Sequence, residues 1–445
     1  MAGAEWPRIG RLDDPEPVVS PLWGRYLSAH WLDDCLLVTL DDPSGRANKT
    51  SDLFKTEFDA LMHALETGLA PAGLLFRSAK PSFGVGGDIG QVLGYAQRGI
   101  EASLADSEAI KSLFRRLERL PCPSVALLEG TAAGGGWELA LACNARFCIA
   151  GGSIRLGLPE VEFGLVPGAG GMLRLPHLVG LESAGRLIAG AAMLSPEEAF
   201  AHGLLTGLAA DGAALLKAGL DWLGQRPDQR RPWDRAGYAI VPSLSYDGPV
   251  AGAPGGQAAP RALSALATIA EVPFDEAGRI ESRCFAECAT SNEARALVGL
   301  GFYDRNRLRH ATDDERAALA RVGRRLGCVK ERLTLPSATG PDDETPDEAE
   351  YLAIAQAAEA LRILGEESAL PAAIVNVASV EQAGFPRRTG GALRFIAGMG
   401  TQAFLARAET LARRFGAPFH IDIAADDAAR LLSDAESRNH QGETG

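Results

Sequence analysis

Three glycine-rich segments and two glutamates hold the chemistry that this sequence offers. The segments are Phe83-Gly84-Val85-Gly86-Gly87-Asp88-Ile89, then Gly134-Gly135-Gly136-Trp137-Glu138-Leu139, then Gly157-Leu158-Pro159-Glu160 followed by Gly164-Leu165-Val166-Pro167-Gly168-Ala169-Gly170-Gly171. Singly each is a weak signal, because glycines form turns and a glycine loop ahead of a helix cradles phosphates in many folds. Together they say more. Two backbone N–H groups at glycine-bounded strand ends, one of them at a helix N-terminus, are what stabilising an oxyanion requires. Glu138 and Glu160 lie just beyond those loops. A pair of carboxyl groups can hold one water and divide the work of base and acid.

These residues are expected to hang on an α/β alternation that begins at Trp31. Segments 35–40, 73–77 and 123–128 read as strands, and helices are expected around 60–65 and from 107 to 120. The first two glycine segments follow the second and third of those strands. Alternating strands and helices with short connections imply a largely parallel sheet covered by helices. Ser195-Pro196-Glu197-Glu198 is a capping box with Pro at the first helical position, and Gly203 supplies the stop. Thr345-Pro346-Asp347-Glu348 repeats the device before a long amphipathic helix through Leu364.

The composition bounds the function. The 445 residues suffice for roughly two to four domains. Lys and Arg number 44 against 57 Asp and Glu, a net charge of −13. That balance excludes a nucleic-acid binder dependent on a basic face. Apolar residues at 46% and charged residues at 23% are ordinary for a soluble protein with a real core. No apolar run approaches the ~20 residues that span a bilayer, so no membrane partner is expected. Residues 1–12 lack a basic stretch leading into an apolar one, so no secretory signal is expected. The seven cysteines are odd in number and scattered, which fits free thiols in a reducing, cytoplasmic compartment.

Over about residues 30–225 the sequence resembles the crotonase (enoyl-CoA hydratase/isomerase) superfamily. The resemblance rests on four motifs in the family's order: 83–89, 134–139, 157–160 and the tract from Val166 to Pro176. It implies an α/β fold made of a spiral of ββα units, an acyl-CoA thioester substrate, and no cofactor beyond the coenzyme A of that substrate. It further implies that the N–H groups of Gly87 and Gly135 form the oxyanion hole and that Glu138 and Glu160 are the catalytic carboxylates. No metal is implied. Crotonase folds commonly trimerise, so a homo-oligomer is implied unless the C-terminal helices cover that surface.

Two further blocks resemble the fatty-acid-oxidation multifunctional enzyme α-subunit. Residues 272–283 resemble the helix that joins its catalytic halves, and 383–393 with 404–408 resemble its C-terminal, all-α hydroxyacyl-CoA dehydrogenase domain. In that family an NAD-binding Rossmann domain stands between them. Here only about 35 polar residues, 310–345, separate the two helical parts, with no strand leading into G-x-G-x-x-G, too short for a dinucleotide domain. Dehydrogenase activity is not expected. The expected reaction is hydration of a 2-enoyl-CoA. The alternatives are Δ3-Δ2 isomerisation or another acyl-CoA reaction of the family and, from a different class, a non-catalytic acyl-CoA-binding or scaffolding role.

The expected boundaries are an N-terminal arm at 1–28, the crotonase-like domain at 29–225, a linker at 226–261 and a helical extension completing that domain at 262–312. A polar linker at 313–345, a helical C-terminal domain at 346–425 and a polar tail at 426–445 follow. Asp88, Gly168, Gly170 and Gly171 read as loop-shaping, Glu162 as structural or exposed, and Arg77, Lys80 and the run Arg226–Arg235 as solvated. Cys284 and Cys288 share a helix face but lack the second ligand pair of a zinc site. For Trp137 two readings stand: it trims the acyl pocket or it packs in the core.

Overall fold

A computed structural model describes residues 24–238, 240, 256–333 and 348–440. It divides at Thr290 and Ser291 into two units. In the first unit, apolar runs punctuated by glycine turns make β1 (Leu27–Leu32), β2 (Cys35–Leu40), β3 (Gly73–Ser78), β4 (Gly84–Val85), β5 (Ser124–Leu128), β6 (Ala132–Ala133), β7 (Ala145–Ile149), β8 (Leu156–Gly157), β9 (Met193–Leu194) and β10 (Gly207–Ala209). Among the described residues they form two sheets. The larger runs β1-β2-β3-β5-β7-β10, parallel except for β1 against β2. The smaller runs β4-β6-β8-β9, with β4, β6 and β8 parallel.

Helices cover the larger sheet. In α1 (Asp52–Thr67), Phe54, Phe58, Leu61, Met62 and Leu65 recur at helical spacing on the buried face, and Phe58 stacks on Phe76 of β3. Ser51 starts the helix by accepting from the Phe54 N–H. The chain then repeats one unit three times. Strand β3 leads through β4 into α2 (Ile89–Arg98) and α3 (Ile100–Arg119); β5 leads through β6 into α4 (Gly135–Ala142); β7 leads through β8 and a 3-10 turn, Glu160–Phe163, into α5 (Gly171–Val179). This is the expected spiral of ββα units. The last helix of the unit is α6 (Phe274–Ala289).

The register of the small sheet positions everything that follows. Gly84 lies opposite Ala132, which lies opposite Leu156; Val85, Ala133 and Gly157 form the next row. Three chains therefore leave the sheet at one level, side by side at the strand spacing of about 4.8 Å.

The second unit is built from helices, among them Asp313–Arg332, Glu348–Glu366, Ala372–Glu381, Thr401–Phe415 and Ala425–His440. They enclose their own apolar core.

Several expected boundaries differ. Residues 313–332 are a helix rather than a polar linker: Thr312 and Glu315 form a capping box, and Ala318, Val322, Leu326 and Val329 make a buried stripe within a mostly charged sequence. The tail at 426–445 is helical through His440, because Ala428, Leu432 and Ala435 insert into the core. The run 226–235 is not simply solvated. Arg231 is buried and donates to the Leu141 and Cys143 carbonyls, which the end of α4 leaves without helical partners. A helix, Ala258–Ile269, begins inside the expected linker, and the division at Thr290 falls within the segment taken as one extension. The arm's last residues belong to the fold, since the N–H groups of Gly24, Tyr26 and Leu27 bind the buried Glu57 carboxylate. The capping box at Ser195 forms as expected. The one expected at Thr345 begins outside the described residues, and the helix is described from Glu348.

Candidate active site

Each ββα unit delivers one residue just past its strand in the small sheet. Gly87 lies two residues beyond β4, Gly135 two beyond β6 and Glu160 three beyond β8. Because those strands are neighbours in register, the three residues converge. Glu138 joins them from the first turn of α4. All four line one cavity of about 100 Å³, together with Val92, Ile110, Leu165 and Val166.

Gly135 is the first residue of α4, where an N–H has no helical acceptor. Gly87 pairs with Thr50 through a single bridge in which the Thr50 N–H donates to the Gly86 carbonyl. Neither the Gly87 nor the Gly135 N–H meets a backbone acceptor among the described residues. The Thr50 hydroxyl flanks both: a Cβ on Gly135 would stand 2.8 Å from Oγ1 and one on Gly87 3.8 Å. Gly135 thus has no room for a side chain, whereas Gly87 has.

Glu138 is buried. Its Oε1 accepts from the Ala169 and Gly171 N–H groups, each at 2.8 Å, which leaves Oε2 to the cavity. Burial, and then the charge of Glu281, push its carboxyl up to about 7 against the pull of those N–H groups and Lys111. The Glu160 carboxyl is raised well above the usual range by burial and then by Glu138. Its Oε2 is buried with no partner among the described residues, which is costly unless a substrate or water supplies one. Each carboxylate discourages the other from ionising, so the pair shares protons as a unit.

Glu160 depends on a glycine. Gly134 sits at φ 52° and ψ −129°, and a Cβ there would stand 2.7 Å from Glu160 Oε1. Gly134→Ala is expected to cost ~1–3 kcal/mol of stability through backbone strain and, by displacing Glu160, most of the turnover. Urea unfolding beside turnover checks this; a variant with wild-type turnover contradicts it.

Asp88 caps α2 by accepting from the Gly90 N–H and pairs with Lys49. Trp137 is buried in the main apolar cluster and is not among this cavity's lining residues; it borders a separate small cavity with Leu158 and Leu194. Gly170 and Gly171 shape the turn into α5, and Gly168 lines the cavity. Sequence reasoning missed Thr50, Ser107 and a polar group on the cavity wall in which Asp106 meets both Lys55 and the Tyr95 hydroxyl. It also missed Lys111 and Glu281 behind the site. The spacing of Ser107 and Lys111, four apart on α3, was the one available signal. Among the described residues no three His, Cys, Asp or Glu side chains gather as a metal site, and no helix is long and apolar enough to cross a membrane.

Residues 33–227 match the family model described as enoyl-CoA hydratase/isomerase. Among solved structures the chain is similar to AtuE of Pseudomonas aeruginosa, at 30% identity over 45% of this chain and 76% of that one, with a TM-score of 0.42. It is similar to DspI of the same organism at 26% identity, over 46% and 75% of the two chains, with a TM-score of 0.42. It is also similar to an enoyl-CoA hydratase of Bacillus anthracis at 22% identity, over 63% and 96%, with a TM-score of 0.41.

Proposed function

Residues 33–227 form a domain of the enoyl-CoA hydratase/isomerase family, and on that premise we propose that the protein adds water across the double bond of a 2-enoyl-CoA thioester. One observation carries the reading: Gly87, Gly135, Glu138 and Glu160 line the same cavity. The thioester carbonyl accepts from the Gly87 and Gly135 N–H groups. As water adds at C3, negative charge builds on that oxygen, and both donors and the dipole of α4 meet it. Each such donor is worth about 3 kcal/mol in the transition state.

Glu138 and Glu160 divide the proton work. The raised proton affinity of both carboxyls suits the pair to exchanging protons, so one member takes a proton from water while the other gives one to C2. Double-bond isomerisation needs only one group to shuttle a proton, so the presence of two favours hydration. Val92, Ile110, Leu165 and Val166 offer the acyl chain an apolar wall.

The test follows the conjugated enoyl-thioester absorbance when the full chain meets crotonyl-CoA and a longer 2-enoyl-CoA. Hydration bleaches it. Unchanged absorbance with both, alongside a rise when a 3-enoyl-CoA is supplied, overturns hydration in favour of isomerisation.

A further inference from the structure

Behind the site stands a buried carboxylate that the mechanism above leaves unused. Glu281 lies on α6, outside the segment that matches the family, and its side chain is wholly buried. Its Oε1 accepts from the Gly170 N–H at 2.7 Å and its Oε2 from the Met172 N–H at 2.9 Å. Glu138 takes the N–H groups in between and before, Ala169 and Gly171. Two carboxylates from two helices therefore alternate along four consecutive N–H groups at the start of α5, where the helix itself leaves them without acceptors. Neither carboxylate can move without pulling on the turn that the other holds.

Lys111 completes the device from α3. Its Nζ lies 3.3 Å from Glu281 Oε1 and 3.0 Å from the Ser107 hydroxyl. Ser107 donates to the Gly168 carbonyl at 2.6 Å, which secures the other end of the same turn. A buried carboxylate needs such a counter-charge, since a charge left unpaired in the interior has lost its hydration without compensation.

We infer that Glu281, held by Lys111, is a positioning residue of this site that acts on Glu138 in two ways, through the turn on which both carboxylates rest and through its own negative charge. The inference builds on the hydration reading of Glu138. The charged groups around Glu281 come from every packed element. Lys111 with Glu108 beyond it lies on α3, Glu138 on α4, and Glu160 on the turn after β8. On α5, Arg174 binds the Ala169 and Gly170 carbonyls and is paired with Glu118. Arg261, on helix Ala258–Ile269, faces Cys288, two turns along α6. Arg98 of α2 lies over the Tyr95 ring. Lys111 is thus the cation in contact with Glu281, and Glu138 and Glu160 are the groups that its charge acts on.

The test is the pH profile of hydration by the full chain, with urea unfolding of the same proteins over about pH 4.5–8. In Glu281→Gln both limbs of the bell are expected at lower pH by about one pH unit, with kcat reduced and KM held within a few-fold. In Lys111→Met, which leaves the carboxylates without their cation, both limbs move to higher pH. Opposite shifts cannot come from general loosening. Limbs that stay in place in both variants, whatever happens to stability, overturn the inference and leave Glu281 a structural clamp. If Glu281→Gln does not fold, Lys111→Met decides by the same criterion. If the wild type hydrates nothing, the hydration reading has failed, and unfolding decides this inference alone. The pH window over which wild type and Glu138→Gln differ in stability must then lie lower in the Glu281→Gln background; an unmoved window overturns it.

Discussion

Glu138→Gln and Glu160→Gln are each expected to lower hydration of a 2-enoyl-CoA by about 10²–10⁴-fold with the fold intact. Glutamine keeps the shape of the side chain. In Glu138→Gln its carbonyl oxygen still accepts from Ala169 and Gly171, so the turn into α5 holds. What disappears is the capacity to exchange a proton. Stability should respond in the opposite sense. The folded protein binds a proton at Glu138 more tightly than the unfolded chain does, so that carboxyl's contribution is complete below about pH 4.5 and is lost as pH rises toward about 7. Glutamine does not ionise. Glu138→Gln is therefore expected to gain on the wild type in urea unfolding as pH climbs through that window. A variant within a few-fold of wild-type turnover would remove its carboxylate from the chemistry.

The second large effect concerns a backbone atom. Gly87→Pro deletes one N–H aimed at the thioester oxygen and is expected to lower kcat by about 10²–10³-fold. Gly87→Ala is the control. Its Cβ would meet nothing nearer than Thr50 Oγ1 at 3.8 Å, and the residue does not lie at positive φ, so it keeps the N–H at little cost. Near-wild-type alanine beside crippled proline assigns the effect to the donor. Equal losses in both would mean that crowding, not the hydrogen bond, matters there. Gly135 offers no such comparison, because any side chain strikes Thr50.

The strands and the glycine segments were legible because their signals are local. The runs at 35–40, 73–77 and 123–128 coincide closely with β2, β3 and β5. The glycines could be read as glycines, but not their partners: Gly136 is small because it packs on the Gly84 backbone, where a Cβ would lie 2.5 Å from the carbonyl carbon. Convergence was readable only through the resemblance, since it is created by register between β4, β6 and β8, strands of two residues each. Helix α3 begins at Ile100 rather than near 107. Its inward face carries Ser103, Ser107 and Lys111, and buried polar residues break the apolar period that announces a helix. Glu281 was hidden for a related reason. It is a charged residue on a charged helix, and its burial depends on Lys111 and on backbone N–H groups more than a hundred residues away.

Delivery of water to C3 by Glu138 and Glu160 is the step on which the proposed reaction depends. It is tested most directly by incubating the full chain with a 2-enoyl-CoA in ¹⁸O-labelled water and following the product by mass spectrometry. The expected product is a 3-hydroxyacyl-CoA carrying one ¹⁸O at C3, formed by the wild type and lost together in Glu138→Gln and Glu160→Gln. Binding of the thioester with no label entering the acyl chain, or label entering equally in the two variants, would contradict it.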